Sequence, residues 1–364
     1  MQVNLPSRLC YCPLEDGRLL EIRASLRPRN GRAAIKCQIA AADPAWRFTQ
    51  QVQQIVQWAR LSEEVQQTDP QSGTEQQLLL EFNLAASEQR QWELAVVALD
   101  RLVRGVWQTA SGTSTSTSNL IAAGYFSQVA QGSVAQTALQ LDQAQLSKLA
   151  ALNGVWVVPA SHASSIQPTQ ALHYLGQLHG QPDAAPRIRT CRVWFPLVGS
   201  GAHDCLSWVE VAQCAQASAN NMEIAITGID ASAQWQVDQV LQAARAHETG
   251  GAARWRTAVH FAPTSFVGNS WELALVLADR IGRGRAYAPR ARLIASGASS
   301  RWQDGVVESV AACQPKCQLI LREAQAGDRV LLPQAWQAEM PADFFQQLRA
   351  KGASGALLTQ LDHI

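Results

Sequence analysis

The chain has 364 residues, and its 30 basic and 29 acidic side chains leave a formal net charge of +1. Only 16% of the residues are charged, so the sequence has no basic surface of the kind that binds nucleic acid or anionic lipid, and we expect neither as a partner. No apolar run is long enough to span a membrane and the first residues have no continuous apolar signal region, so we expect a soluble cytoplasmic protein. The eight cysteines lack the paired spacing of a zinc site, and no phosphate-binding glycine loop is present, so no metal or cofactor is predicted.

Apolar periodicity and turn residues predict a mixture of strands and helices in the first half of the chain. In chain order these are a hairpin of strands at 19–26 and 33–40, an amphipathic helix over 46–61, a strand at 76–84, a mostly apolar helix over 91–104, a flexible Ser/Thr loop at 111–119, an apolar run at 120–126, a helix near 141–152, an apolar run at 155–159 and a helix over 168–179. Two prolines and a charge cluster at 180–189 then interrupt the apolar pattern and indicate a linker.

The second half repeats this plan. It is predicted to contain paired strands at 208–215 and 222–229, a helix over 232–246, a strand at 254–262, a helix over 270–283, apolar runs at 290–297 and 306–313, a helix near 315–325, an apolar run at 330–333 and a helix over 342–350. Because strands and helices do not alternate strictly, we expect an α+β fold with helices packed on one face of each sheet.

One segment of the sequence occurs twice. Residues 91–105 read QWELAVVALDRLVRG, and residues 270–284 read SWELALVLADRIGRG. Such self-similarity over half the chain indicates an internal duplication, and it predicts two α/β domains spanning residues 1–182 and 187–364. The first letter differs, since Gln91 stands where the second copy has Ser270, so chemistry that requires a hydroxyl is predicted in the second copy alone.

Ser270 and Lys316 are the candidate catalytic residues. A serine before a helix lies beside unpaired backbone N–H groups that can hold an oxyanion, although most such serines only cap the helix. A lysine becomes a base when burial lowers its pKa, although most lysines are solvated. Lys316 is the only lysine between Lys148 and Lys351 and lies among cysteines and leucine, so burial is expected.

These residues resemble the proteolytic domain of Lon-type proteases in the order of their motifs. The matching segments are GNSWELALVLADRI at 268–281, ARLIASG at 291–297, Asp304-Gly305, Lys316 and AGDRVLLP at 326–333. The resemblance implies that Ser270 is the nucleophile, that Lys316 is the general base and that Ser296 stands for a threonine of the family motif.

The match has departures. Asn269 replaces a proline, and Trp271 and Glu272 replace Ala-Gly. We expect the bulky Trp271 to obstruct the space that a peptide must enter. In the first copy Gln91 and Gln143 occupy the positions of the dyad, so that copy is degenerate.

Two functions follow. The first is a Lon-like serine peptidase with a Ser-Lys dyad that acts on protein or peptide without an ATPase domain of its own, with a separate ATPase as its expected partner. The second is a pseudoprotease that serves as a protein-binding scaffold or adaptor. The distance from Ser270 to Lys316 separates them.

Overall fold

A computed structural model places the chain in two compact units, Met1–Ile188 and Arg189–Ile364. The residues that the structure describes are 7–29, 34–40, 46–63, 76–86, 88–107, 119–136, 141–152, 154–162, 170–199, 204–215, 224–248, 255–262, 268–286 and 289–363. The boundary lies within the predicted linker at 180–189. Most of the predicted Ser/Thr loop, at 111–118, lies outside the described residues.

The first unit is built on a seven-stranded sheet in the order β3-β4-β2-β1-β5-β8-β9. Its elements are β1 (Arg8–Pro13), β2 (Leu19–Pro28), β3 (Ile35–Ile39), α1 (Trp46–Leu61), β4 (Gln76–Phe82), α2 (Trp92–Val103), β5 (Leu120–Ala122), β6 (Phe126–Gln128), β7 (Ser133–Val134), α3 (Gln143–Ala150), β8 (Val155–Pro159) and β9 (Gln170–Leu172). Strand β2 runs antiparallel to both of its neighbours, and the other neighbouring strands of this sheet pair in parallel. The short strands β6 and β7 pair separately.

The second unit has a seven-stranded sheet with the equivalent order, β12-β13-β11-β10-β14-β15-β16. Its elements are β10 (Ile188–Leu197), β11 (Cys205–Ala215), β12 (Ile224–Thr227), α4 (Ala231–Ala246), β13 (Trp255–Phe261), α5 (Glu272–Gly282), β14 (Leu293–Ala295), α6 (Cys313–Glu323), β15 (Arg329–Pro333), α7 (Phe344–Ala350) and β16 (Ser354–Leu358). Strands β10 and β11 are neighbours joined by residues 198–204, a connection too short for a parallel crossover, so they form a hairpin.

The predicted hairpins are wrong. Strand β2 pairs with β1 and β4, whereas β3 pairs with β4 in parallel. In the second unit β12 likewise pairs with β13 in parallel. The reason is the long helix that follows each short strand, because a helical crossover returns the chain in the same direction.

A further expectation is corrected. The predicted helix over 168–179 is strand β9 followed by a 3-10 turn at Leu175–His179, which ends at Gly180 with a φ of 70°. The apolar run at 306–313, to which the sequence assigns no element, forms two isolated bridges, from Val306 to Gln360 and from Ala298 to Glu308. In both places the chain follows turns closed by glycine, which apolar spacing alone does not reveal.

The second sheet is covered by helices on both faces, not on one. Strand alternation separates two cores. Ala295 and Leu331 pack with α4 and α5, while Ile294 and Leu332 pack with α6 and α7. A site at the end of β14 is therefore accessible to helices from either face of the sheet.

Each unit has its own buried network of ion pairs, at the carboxyl end of the helix formed by the repeated segment. In the first unit Asp100 bonds Arg60 and Arg104, and Arg104 also bonds Glu63. The corresponding network in the second unit joins Asp279 to Arg245 and Arg283, and Glu248 to Arg280 and Arg283. The acidic and basic residues of the repeated segment thus join α2 to α1 and α5 to α4 through ion pairs.

Candidate functional site

Ser270 lies in the turn that leads into α5, at the carboxyl end of β14. Its carbonyl accepts a hydrogen bond from the N–H of Gly297 at 3.4 Å, and the N–H of Leu273 donates to the Gly297 carbonyl at 3.1 Å. Gly297 follows β14 by two residues, so these bonds tie the start of α5 to the end of that strand. The serine is 6% exposed.

Trp271 does not obstruct this position. The side chain is 2% exposed and packs edge-on against Phe261, with ring centroids 5.5 Å apart. It lies in the core between α5 and the sheet, so the expectation that it fills the space for a peptide is wrong. Its counterpart Trp92 packs against Phe48 in the same way, at 5.0 Å.

Lys316 lies in the first turn of α6, near the same edge of the sheet. Just before this helix, Ser309 Oγ and the Val310 carbonyl accept hydrogen bonds from Trp336 Nε1, each at 3.1 Å, and Trp336 follows the carboxyl end of β15. At the other end of α6 the Glu323 carbonyl accepts from Arg292, which precedes β14. The helix therefore runs antiparallel to β14, and its first turn lies at the strand's carboxyl end.

The environment of Lys316 is apolar. The residue is 6% exposed, and no ion pair joins it to an acidic side chain in the described part of the chain. Burial lowers the pKa of Lys316 to about 8, and the neighbouring Cys313 opposes this shift. An amine with this pKa loses its proton as the pH rises through about 8, well below the usual range for lysine, and in its neutral form it can act as a general base.

Ser270 and Lys316 thus approach one edge of the sheet from opposite faces. Among the described residues, neither side chain forms a hydrogen bond, so the two are not joined to each other in this structure. Catalytic contacts are often long before substrate binds and shorten in the complex. The fold brings the two candidate residues to a common edge of the sheet, and no hydrogen bond joins them among the described residues.

Ser296 lies between Ser270 and Lys316 in the amino-acid sequence. It directly follows β14, is fully buried, and its hydroxyl is without a hydrogen-bond partner in the described part of the chain. Strand alternation continues Ser296 on the face of Ile294, which is the face that α6 covers. A buried hydroxyl without a hydrogen-bond partner destabilises the folded state. The Ser296 hydroxyl could therefore still donate or accept a hydrogen bond at this edge of the sheet.

The residue before α6 has a strained backbone. Ala312 has a φ of 65°, in the left-handed region that alanine rarely adopts, and it is the only non-glycine residue with positive φ among the described residues. Its carbonyl accepts a hydrogen bond from the N–H of Lys316 at 3.1 Å. Strain of this kind persists where the surrounding structure requires it, and it commonly clusters at functional sites.

Sequence reasoning also missed a polar cluster around Glu272. This buried carboxylate accepts hydrogen bonds from Trp302 Nε1 at 2.8 Å, the Ser299 N–H at 3.2 Å and Gln236 Nε2 at 3.0 Å. Gln236 Nε2 also lies 3.0 Å from Asn269 Oδ1. The donors come from two separate parts of the chain, α4 and the segment 299–302, and no local motif could have predicted their meeting.

The first unit closes the equivalent position. Gln91 uses its side-chain amide to donate to Glu15, and Gln89 holds the neighbouring Asp16 at 2.7 Å, so the β1–β2 turn is fixed over this segment. Gln143 and Lys148 on α3 are both exposed. The unit therefore has neither a hydroxyl nor a buried lysine at the positions of the dyad.

Known proteins give no match to the chain, whether compared with family models or with curated sequences. Within the described residues no cluster of histidine, cysteine, aspartate or glutamate could hold a metal ion. No described helix is both long and apolar enough to cross a membrane. All eight cysteines are free thiols.

Proposed function

We propose that the second unit is a serine peptidase of the Lon-like type, with Ser270 as nucleophile and Lys316 as general base. The motif order of residues 268–333 supports this assignment, as does the position of Ser270 and of the first turn of α6 near the carboxyl end of β14. The first unit is the degenerate copy, because its site position is used by Gln91 to hold the β1–β2 turn.

The observation that carries the proposal is the buried Lys316. A lysine removed from water without a carboxylate partner destabilises the folded protein, and such groups occur preferentially at sites that use an altered pKa. The lysine has this environment in the second unit, where the serine is also present. Lys148 in the first unit is exposed instead.

The reaction follows from these two side chains. Neutral Lys316 Nζ takes the proton from Ser270 Oγ as the oxygen attacks the carbonyl carbon of a peptide bond. Backbone N–H groups at the start of α5 stabilise the oxyanion of the tetrahedral intermediate. The protonated lysine then gives its proton to the departing amine, and a water molecule hydrolyses the acyl-enzyme by the same steps.

We propose unfolded protein or peptide as the substrate. The sequence contains no phosphate-binding loop with which the chain could unfold a substrate itself. A separate ATPase in the cytoplasm would supply extended chains to the Ser270 site, and it is the partner that this function requires.

The test is cleavage of casein, which is largely unstructured, by the purified protein. Ser270→Ala should abolish cleavage without changing the unfolding temperature, whereas Gln91→Ala at the equivalent position of the first unit should retain it. The wild-type rate should rise as the pH passes through about 8, because Lys316 must lose its proton. Residual cleavage by Ser270→Ala equal to that of the wild type would refute the assignment.

A second function is favoured by one observation. The absence of a hydrogen bond between the described Ser270 and Lys316 side chains fits a pseudoprotease that binds a protein partner as a scaffold. This alternative predicts that the wild-type protein cleaves nothing and that Ser270→Ala binds the same partner with unchanged affinity.

A further inference from the structure

The turn that carries Ser270 is held by a buried carboxylate two residues beyond it. Glu272 is 3% exposed and its carboxylate is satisfied by the neutral donors of Trp302, Ser299 and Gln236. Ser299 belongs to the segment that follows Gly297, whose N–H binds the Ser270 carbonyl. One carboxylate therefore fixes the segment on one side of the nucleophile.

Gln236 extends this control to the other side. Its amide donates to Glu272 and to Asn269 Oδ1, each at 3.0 Å. Asn269 immediately precedes the nucleophile, and its carbonyl also accepts from the Glu272 N–H at 3.1 Å. Two segments beside Ser270 are therefore tied to Glu272: Asn269 through the Glu272 N–H and Gln236, and the segment after Gly297 through Ser299.

The first unit keeps one of these contacts, because the Phe126 N–H donates to its Glu93 at 2.9 Å as the Ser299 N–H does to Glu272, but the other partners of the carboxylate differ. There the equivalent Glu93 pairs with a cation, since Arg90 Nε lies 2.6 Å from its carboxylate. Arg90 also donates to the Phe126 carbonyl at 2.9 Å and covers the Tyr125 ring at 4.7 Å. In the second unit Asn269 replaces this arginine, and among the described residues no cation pairs with Glu272.

Burying the Glu272 carboxylate without a counter-ion destabilises the folded state, whereas the equivalent Glu93 has Arg90 as its counter-ion. The exchange removes a long side chain from beside the nucleophile, and Gln236 takes over the hydrogen bond to the buried glutamate. We infer that Glu272 and Gln236 are positioning residues that orient Ser270 for attack while leaving its approach open. This inference rests on the proposed peptidase function and deepens it.

Glu272→Gln and Gln236→Ala test it through steady-state cleavage of a fluorogenic peptide derived from casein. Each should lower kcat by about 10- to 100-fold with KM within about threefold, because small misplacements of a reacting group act on turnover. Covalent labelling of Ser270 by a fluorophosphonate should slow in parallel. The matched controls are Glu93→Gln and Gln51→Ala, which alter the first unit's carboxylate and its α1, and both should retain the wild-type kcat.

The outcomes separate the two proposals. Unchanged kcat and labelling in Glu272→Gln and Gln236→Ala, with an active wild type, would refute the positioning role and leave the peptidase assignment standing. An equal fall in Glu93→Gln would show that the effect is general destabilisation, which also refutes it. A wild type that neither cleaves peptide nor reacts at Ser270 would overturn the peptidase function, and the positioning role with it.

Discussion

Lys316 should destabilise the folded protein. An unfolded lysine has a pKa near 10.4, whereas burial lowers the pKa of Lys316 to about 8, so the folded state binds the proton less tightly. Lys316→Met should therefore raise the free energy of unfolding by roughly 2 kcal/mol at pH 7, less than the full shift because the amine keeps some contact with water. Chemical denaturation at several pH values measures this.

The sign of the pH dependence is fixed by the direction of that shift. Below about pH 8 both states are protonated and the penalty is complete; between pH 8 and the unfolded pKa it declines, because the folded state has lost its proton. The advantage of Lys316→Met should thus shrink as pH rises through this window. Lys148→Met, at an exposed lysine, should show no such trend, and a Lys316→Met variant no more stable than wild type at pH 7 would contradict the argument.

Among the described connections between elements, the turn after β12 leaves no room for a side chain at its glycine. Gly228 has a φ of 86°, and a Cβ placed there would lie 2.4 Å from the Phe261 carbonyl oxygen. Gly228→Ala should lower the free energy of unfolding by about 2 kcal/mol or more, since strain and a backbone clash add. Gly268→Ala is the control, because Gly268 has a φ of 89° and no atom of the described residues lies within 4 Å of the position that a Cβ would take. Equal losses from the two variants would show that the contact contributes nothing.

Elements with a long periodic pattern were predictable from the sequence, and their pairing was not. The amphipathic pattern over 46–61 matches α1, and the repeated apolar segments match α2 and α5. The predicted hairpin of β2 with β3 is wrong because strand pairing depends on the connections between strands. The helix α1 follows β3 and returns the chain so that β3 pairs with β4 in parallel. The helix over 168–179 failed because a strand and a 3-10 turn can have the same apolar spacing.

The same limit applies to the site. A serine before an apolar helix and an isolated lysine among apolar residues can be read from the chain, and the structure places both at the end of β14. The role of Glu272 could not be read, because its partners Gln236 and Trp302 come from other elements. The strain at Ala312 also has no signal in its residue type, since alanine normally avoids positive φ.

At the scale of the whole molecule, the two units repeat one design with separate cores. Each sheet has the equivalent strand order, and each repeated helix ends in the same buried network of aspartate and arginines. Asp100 and Asp279 are both 1% exposed. Replacing either leaves buried arginines without their partner, a change that typically costs about 3 to 5 kcal/mol.

Asp100→Asn and Asp279→Asn should therefore destabilise different units by similar amounts. Because each unit buries its own apolar cluster, we expect scanning calorimetry of the full chain to resolve a transition that moves only in Asp100→Asn and another that moves only in Asp279→Asn. Cleavage that depends on Ser270 should be lost on heating at the transition that Asp279→Asn lowers. The reason is that Asp279 lies on α5 and Ser270 lies in the turn that leads into the same helix. A single transition shifted equally by the two substitutions would instead mean that the chain unfolds as one cooperative structure.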